Sequence, residues 1–290
     1  MKRSVFFNVF LLCIIFFFLG GNFWLWKDTI FVSVPKIEHL PPEVSINEFT
    51  KIENVNPEHS LNTFNSSSII QIADQSASSS FIEHTTTTIA QKEIPKQINL
   101  SVPFTSQAPE KNWDQPWQDA CEEAAVLMLD AYYKKYGLNT FFSKDEIIKM
   151  VDWQKTLGWG LSIEIEKVQK LFLDYFRYAK QASSSDTKFL SVRIVENPSI
   201  GDIKKFISQG NPVYAVVHGK ELDNPHFQNG GPEYHALIIR GYTETTFITN
   251  DPGTQFGENF QYTYENLMDS LHDWNGGDVK NGRPVVLVIE

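Results

Sequence analysis

A lone cysteine at the predicted start of a helix constrains this chain more than any other feature. Of the two cysteines, Cys13 lies in an apolar N-terminal run, whereas Cys121 lies just before the largely apolar stretch of residues 124–131. Asp119 is a suitable N-cap, and Glu122 stands three residues later, where it can complete a capping box. The pattern predicts that Cys121 lies in the first helical turn, where free N–H groups and the helix dipole favour a thiolate.

Two roles fit a thiol in this position. It can be a nucleophile, or it can be a small buried residue that fills a gap in the core. A disulfide framework is excluded, because the other cysteine lies far away in a different kind of sequence. The choice therefore depends on whether the chain also supplies a base.

The N-terminal segment, residues 1–31, has the pattern of a membrane anchor. Residues 4–26 carry no charge, and an apolar helix of about 20 residues is long enough to cross the hydrocarbon core. Lys2 and Arg3 precede this run, which places the N-terminus in the cytoplasm by the positive-inside rule. We expect a single-pass cell-membrane protein whose remaining chain is exported. The alternative is a signal peptide cleaved near residues 20–21, which leaves the domain secreted.

The next segment, residues 32–94, is expected to be a disordered tether. Its first part is rich in proline, and its second part contains serine and threonine runs at residues 66–68, 76–80 and 85–88. No helical or strand period persists, and such polar, low-complexity sequence buries too little apolar surface to fold alone.

Residues 95–290 are predicted to form one α+β domain. Predicted helices occupy its first half, including one that opens with a capping box at Ser199 and Asp202. After Gly210 the period changes to that of strands, at residues 212–217, 235–242, 246–251 and 284–289. This order indicates a helical part, with the Cys121 helix, packed on a mostly antiparallel sheet. The formal net charge of −10 argues against a nucleic-acid partner, which needs a basic face.

His235 is the best candidate for the base that a thiol nucleophile needs. It stands at the start of an apolar strand, and Asp251 ends the next strand, just before Pro252. If the two strands form a hairpin about a turn centred near residue 243, the two side chains are neighbours, and the carboxylate can orient the imidazole. Separately, they are more simply a strand-edge histidine and an Asp-Pro-Gly turn. Together with Cys121 they favour catalysis.

A metal site is the alternative use of these histidines. His218, His226 and His235 could bind a metal together with Asp223. Their spacings are loose and match no compact ligand pattern, so the sequence favours a site without metal.

Four segments in order resemble the C39-like cysteine peptidase domains. These segments are Val-Pro-Phe-Thr-Ser-Gln at 102–107, Cys-Glu-Glu-Ala at 121–124, Gly-Gly-Pro-Glu-Tyr-His at 230–235 and Thr-Asn-Asp-Pro-Gly at 249–253. Such domains are bacterial relatives of the leader-cleaving peptidase domains of bacteriocin exporters and have a papain-like fold. The resemblance implies Cys121 as nucleophile, His235 as general base, Asp251 as the residue that orients it and Gln107 as an oxyanion donor. It also implies a peptide or protein substrate, cell-wall peptide included, and no metal or organic cofactor.

The chain departs from that pattern in two places. The interval between Gln107 and Cys121 is longer than in the exporter domains, so Gln115 and Gln118 are alternatives for the oxyanion role. Glu122 replaces a common glycine after the cysteine, and the two glutamates at 122–123 should raise the pKa of the thiol. Two other functions therefore stay open: a binding module for peptide or cell-wall ligands, and a non-protein amidase or acyl transferase that uses the same triad.

Overall fold

The computed structural model describes residues 39–53, 93–178 and 191–290. The predicted anchor, residues 1–31, lies outside the described residues, and so do residues 54–92 of the predicted tether. Within the described ranges, no helix is both long and apolar enough to cross a membrane.

The described part of the domain is built on an eight-stranded sheet. Its strands are β1 (Glu43–Val44), β2 (Ile98–Leu100), β3 (Val192–Glu196), β4 (Val213–Val217), β5 (His235–Tyr242), β6 (Thr246–Asn250), β7 (Phe260–Thr263) and β8 (Val285–Ile289). The main path runs β1-β2-β5-β4-β8-β3, and β6 and then β7 extend the sheet from β5. All pairs are antiparallel except β1 with β2, which confirms the predicted mostly antiparallel α+β arrangement.

The four strands predicted from apolar runs are buried at every position. Their sequences are rich in valine and isoleucine, which suit a pleated surface that is covered on both sides. The strands β3 and β7 were not predicted, because both contain positions that are only partly buried and their apolar pattern is weak.

Six helices accompany the sheet in the described ranges. They are α1 (Ile46–Glu53), α2 (Cys121–Lys134), α3 (Thr140–Thr156), α4 (Ile165–Lys170), α5 (Ile200–Ser208) and α6 (Tyr264–Asp269). A π-helical turn, Leu171–Tyr175, continues α4. The predicted capping box of α5 is present, since Ser199 and Asp202 bond each other's backbone N–H groups.

The central helix α2 lies between β5 and α3, so it is buried almost all round. The predicted capping box at its start is absent. The helix begins at Cys121 with Ala120 as a cap that offers no side-chain bond, and Asp119 instead accepts a bond from Gln115 Nε2 at 2.6 Å. Glu122 does not reach back to the cap, because its carboxylate turns into the core. Cys121 nevertheless lies in the first turn, as predicted.

Part of the predicted tether is ordered against the domain. The sequence predicts disorder over residues 32–94, yet residues 43–53 contain β1 and α1. Arg240 explains the difference: it is buried in β5 and directs its guanidinium to Leu100 O at 2.8 Å and to Glu43 Oε1 at 2.5 Å. A buried guanidinium needs hydrogen-bond partners, and its bond to Glu43 holds β1 beside Arg240.

Candidate active site

The β5–β6 hairpin brings His235 and Asp251 together. Asp251 Oδ1 lies 2.7 Å from His235 Nε2, and the two side chains are 0 % and 1 % exposed. His235 is the first residue of β5, and Asp251 directly follows the last residue of β6. The predicted contact between these two side chains is therefore present.

The register of the hairpin differs from the predicted one. The last pair of the ladder is Ile238 with Asn250, so Asp251 faces Leu237 rather than His235. The turn is centred between residues 244 and 245 instead of near 243, which causes the offset, and the register shift at Arg240 reduces the offset by one residue. The two side chains still meet, because strand residues two positions apart lie on the same face and diagonal neighbours remain within reach.

Four donors surround the Asp251 carboxylate. Oδ1 accepts from His235 and from Gly253 N at 2.9 Å, and Oδ2 accepts from Tyr262 Oη at 2.5 Å and from Asn224 Nδ2 at 3.1 Å. Burial acts to raise the pKa of Asp251, but the nearby His235 and these hydrogen bonds outweigh it, and the pKa lies below its ordinary value. The carboxylate is therefore ionised and fixed in position.

The His235 ring is enclosed by the loop before β5 and the loop after β6. Phe227 packs edge-on against the imidazole with ring centroids 5.3 Å apart. A Cβ at Gly253 would lie 2.8 Å from His235 Cε1 and 2.9 Å from Phe227, so only glycine fits there. With Nε2 bonded to Asp251, the ring is held in one orientation and Nδ1 is the nitrogen left for other partners.

Cys121 lies at the same end of the sheet and is 4 % exposed. The backbone N–H of Ala236, the residue after His235, lies close enough to Sγ to favour the thiolate. The thiol also donates to Glu122 Oε2 at 3.0 Å. Burial raises the pKa of the thiol, the charges of Glu122 and Glu123 raise it further, and only the Ala236 N–H lowers it.

The two glutamates after the cysteine are buried, and no local pattern predicts where their side chains point. Glu122 Oε1 accepts from Ile163 N at 3.0 Å, and burial raises its pKa to about 7. Glu123 accepts a hydrogen bond from Gln154 Nε2, and burial raises its pKa as well. Glu122 is thus in direct contact with the sulfur, whereas Glu123 is bonded on another side of the helix.

A sequence model described as the peptidase C39-like family matches residues 99–277. The chain belongs to this family. The match covers more than half of the chain and includes all four residues assigned to the site by resemblance.

One structural neighbour is a proposed C39-like peptidase from Bacillus anthracis. It is 15 % identical, the match covers 68 % of this chain and 98 % of that chain, and the TM-score is 0.43. No curated protein matches the chain significantly.

Gln107, the oxyanion donor suggested by family resemblance, is buried beside the loop that precedes α2. Its Nε2 donates to the carbonyls of Trp117 and Gln118, both at 2.9 Å, and its Oε1 has no partner among the described residues. Its backbone N–H donates to Pro252 O at 2.9 Å. Gln107 thus connects the segment that precedes Cys121 to the loop that carries Asp251.

The two rival glutamines, Gln115 and Gln118, are exposed. Gln115 bonds Asp119, as described above, and Gln118 contributes its backbone carbonyl to Gln107. Neither side chain is drawn into the core beside Cys121, so Gln107 remains the preferred oxyanion candidate in this family member.

The histidines considered as metal ligands are not assembled into one site. His218 lies 2.9 Å from Glu233, His226 stacks on Phe256, and His235 is bonded to Asp251. Across residues 39–53, 93–178 and 191–290, no group of three or more His, Cys, Asp or Glu side chains is placed to hold a metal ion.

Asn224 and Tyr262 complete the site and were missed from the sequence. Asn224 Nδ2 also bonds Tyr262 Oη at 2.7 Å, so the two side chains form one unit around Asp251 Oδ2. Tyr262 lies on β7, a strand that no clear apolar pattern predicts. No motif marks either residue, and only the fold places them.

Proposed function

We propose that this protein is a cysteine peptidase with a papain-like arrangement that hydrolyses peptide bonds through Cys121, His235 and Asp251. The observation that carries this proposal is the bonded His235–Asp251 pair beside a thiol at the start of a buried helix. The N–H of Ala236, the residue after the histidine, acts on the thiol, which supports a role for all three groups in one site. Family membership supports the same reaction class.

In the proposed reaction, the Cys121 thiol gives its proton to His235 and the sulfur attacks the substrate carbonyl. His235 then passes the proton to the leaving amine, which leaves a thioester on the sulfur. Water attacks the thioester, His235 takes a proton from that water, and the free acid and thiol are regenerated. Asp251 stabilises the imidazolium and, through its bond to Nε2, orients the ring so that Nδ1 lies on the side away from the carboxylate.

Oxyanion stabilisation is assigned to the backbone N–H of Cys121 and to Gln107. The N–H groups in the first turn of α2 have no partner within the helix, which makes them suitable donors. The side-chain amide of Gln107 already donates to two carbonyls, so its oxyanion role needs one of these bonds to be shared or released.

We also propose the setting of the reaction. The charge-free N-terminal run suggests a cell-membrane anchor with the domain on the outer side, where peptide or cell-wall peptide substrates are met.

The test is to offer the exported domain peptide libraries and peptidoglycan fragments, with Cys121→Ser as the control. Cleavage of peptides that depends on Cys121 supports the proposal. Cleavage restricted to non-protein amides would replace the peptidase with an amidase of the same triad.

A second candidate, a peptide-binding module with little turnover, is favoured by one observation. The Cys121 thiol is buried and donates a hydrogen bond to Glu122, so its reactivity is suppressed in this arrangement. Labelling with iodoacetamide against pH separates the two functions. A thiol pKa below the ordinary value of about 8.5 favours the enzyme, provided that the pKa returns to the ordinary value in His235→Ala. Labelling no faster than that of a model thiol favours the binding module.

A further inference from the structure

Glu122 is held so that one carboxyl oxygen always faces the sulfur. Oε1 accepts from Ile163 N and Oε2 accepts from Cys121 Sγ, both at 3.0 Å. The peptide of Ile163 is itself fixed on its other side, because Tyr234 Oη donates to Ile163 O at 2.9 Å. The side chain is fully buried, so water does not compete for either oxygen.

The charge of Glu122 decides which hydrogen bond this geometry allows. An ionised carboxylate can only accept, so its partner must be a protonated thiol. A neutral carboxyl group can donate, so its partner can be a thiolate. The same 3.0 Å contact therefore favours the inert form of Cys121 in one state and the nucleophilic form in the other.

We propose that Glu122 is a positioning residue that controls the protonation of Cys121, holding the thiol as SH when ionised and stabilising the thiolate when neutral. The proposal deepens the proposed function, because it describes how the nucleophile of that site is switched. It requires no further ligand or cofactor.

The groups around Glu122 place its titration in the physiological range. Cys121 and Glu123 face it from α2, Tyr214 faces it from β4, and Tyr234 and His235 face it from the start of β5. Burial raises the pKa of both tyrosines, so they stay neutral. Burial also raises the pKa of Glu122, while the thiol, Ile163 N and His235 lower it, and the result is about 7.

The two states differ by one proton. In the active state Glu122 is neutral, Cys121 is a thiolate and His235 is an imidazolium. As pH rises, Glu122 loses its proton to solvent, and the thiolate then lies beside a second negative charge. The proton of His235 returns to the sulfur, which restores the thiol and a neutral imidazole.

The first test compares Glu122→Gln with Glu123→Gln by the ultraviolet absorbance of the thiolate, with Cys121→Ser as the blank. Glutamine can still accept from Ile163 N, and it offers an N–H to the sulfur. We expect the thiol pKa to fall and iodoacetamide labelling at mildly alkaline pH to rise by about tenfold or more. The charge of Glu123 acts on the thiol only through space, without contact with the sulfur. The thiol pKa should therefore fall much less in Glu123→Gln than in Glu122→Gln. An unchanged or higher thiol pKa in Glu122→Gln would overturn the proposal.

A second measurement needs no variant at position 122. Carboxyl ¹³C resonances of the parent protein should show Glu122 titrating near 7, together with the thiolate signal of Cys121. A Glu122 that titrates at an ordinary carboxyl value, independently of the thiol, would refute the coupling. Both measurements read the thiol directly, so the coupling can hold even if no peptide is cleaved, and peptidase activity can be found even if the coupling fails.

Discussion

Asp251 contacts His235 at 2.7 Å although the ladder of the hairpin does not place the two residues opposite each other. The contact arises on the diagonal, one pair beyond Ile238 and Asn250, where β6 gives way to the Asp-Pro-Gly turn. Gly253 N then bonds the same oxygen that receives the imidazole, so the turn itself fixes the carboxylate. The turn and the orientation of the imidazole are thus properties of one segment.

Replacing Asp251 with Asn should impair the site strongly. The amide carries no charge to stabilise an imidazolium, and its NH₂ group would face the donors of Tyr262 and Asn224. We expect kcat/KM for a cleaved peptide to fall roughly 10²-fold or more. We also expect a loss of about 1–3 kcal/mol in the free energy of unfolding, because buried donors lose their acceptor. Peptide hydrolysis and urea denaturation measure the two effects.

Asp202→Asn is the matched control for this substitution. It removes one carboxylate at the exposed start of α5, away from the hairpin. If it reduced activity as much as Asp251→Asn does, the charge of Asp251 would have no special role.

Tyr262→Phe should move the acid limb of the activity profile. The substitution removes the 2.5 Å bond to Asp251 Oδ2, which helps to hold the pKa of Asp251 below its ordinary value. The pKa of Asp251 should rise, so the acid limb of kcat/KM should shift to higher pH, with activity roughly tenfold lower on that limb. Tyr242→Phe removes a comparable bond to Pro95 O, and it should leave the limb in place. An identical shift in both variants would mean a general loss of stability.

Gly257→Ala should disturb Asp251 through the backbone. A Cβ at position 257 would overlap the carbonyl of Asp251, whose N–H also bonds Gly257 O at 2.9 Å. The loop must move to make room, so activity should fall, and stability should fall by about 1–3 kcal/mol. A Cβ at position 137 would have no atom within 4 Å, so Gly137→Ala should be neutral in both assays. Full activity in Gly257→Ala would show that the loop tolerates displacement of Asp251.

Local patterns predicted the hairpin and the helix of the candidate site. The strands β5 and β6 are apolar runs joined by a short turn, and Cys121 precedes an apolar helix, so each is visible within a window of a few residues. The diagonal contact of His235 was not predictable in detail, because the register depends on the centre of the turn and on the shift at Arg240.

Long-range partners account for what the sequence did not reveal. Glu122 was expected to cap its own helix, but its Oε1 accepts a hydrogen bond from Ile163 N, 41 residues away. The position of β1 depends on the bond between Glu43 and Arg240, which lie 197 residues apart in the chain. Tyr262 reaches Asp251 from a strand without a clear pattern. Each of these contacts satisfies a buried polar group, and no local period encodes such a partner.

The stability of the protein should fall between about pH 4.5 and 7 because of Glu122. Its pKa is raised from the ordinary 4.5 to about 7, so over this interval the folded state binds more protons than the unfolded state. The stabilising contribution is complete below the ordinary carboxyl value and is lost as pH rises through about 7. The difference corresponds to about 3 kcal/mol in the free energy of unfolding.

Glu122→Gln should flatten this part of the profile, because glutamine does not titrate. Urea denaturation at several pH values measures the slope in both proteins. Burial also raises the pKa of Glu123, so a smaller slope should remain. The difference between the two curves gives the contribution of Glu122 together with its effect on the pKa of Glu123. Glu110→Gln, which changes an exposed carboxyl paired with Lys144, is the control and should keep the full slope. If Glu122→Gln also kept the full slope, the buried carboxyl beside the thiol would be ionised throughout, and its proposed control of Cys121 would fail with it.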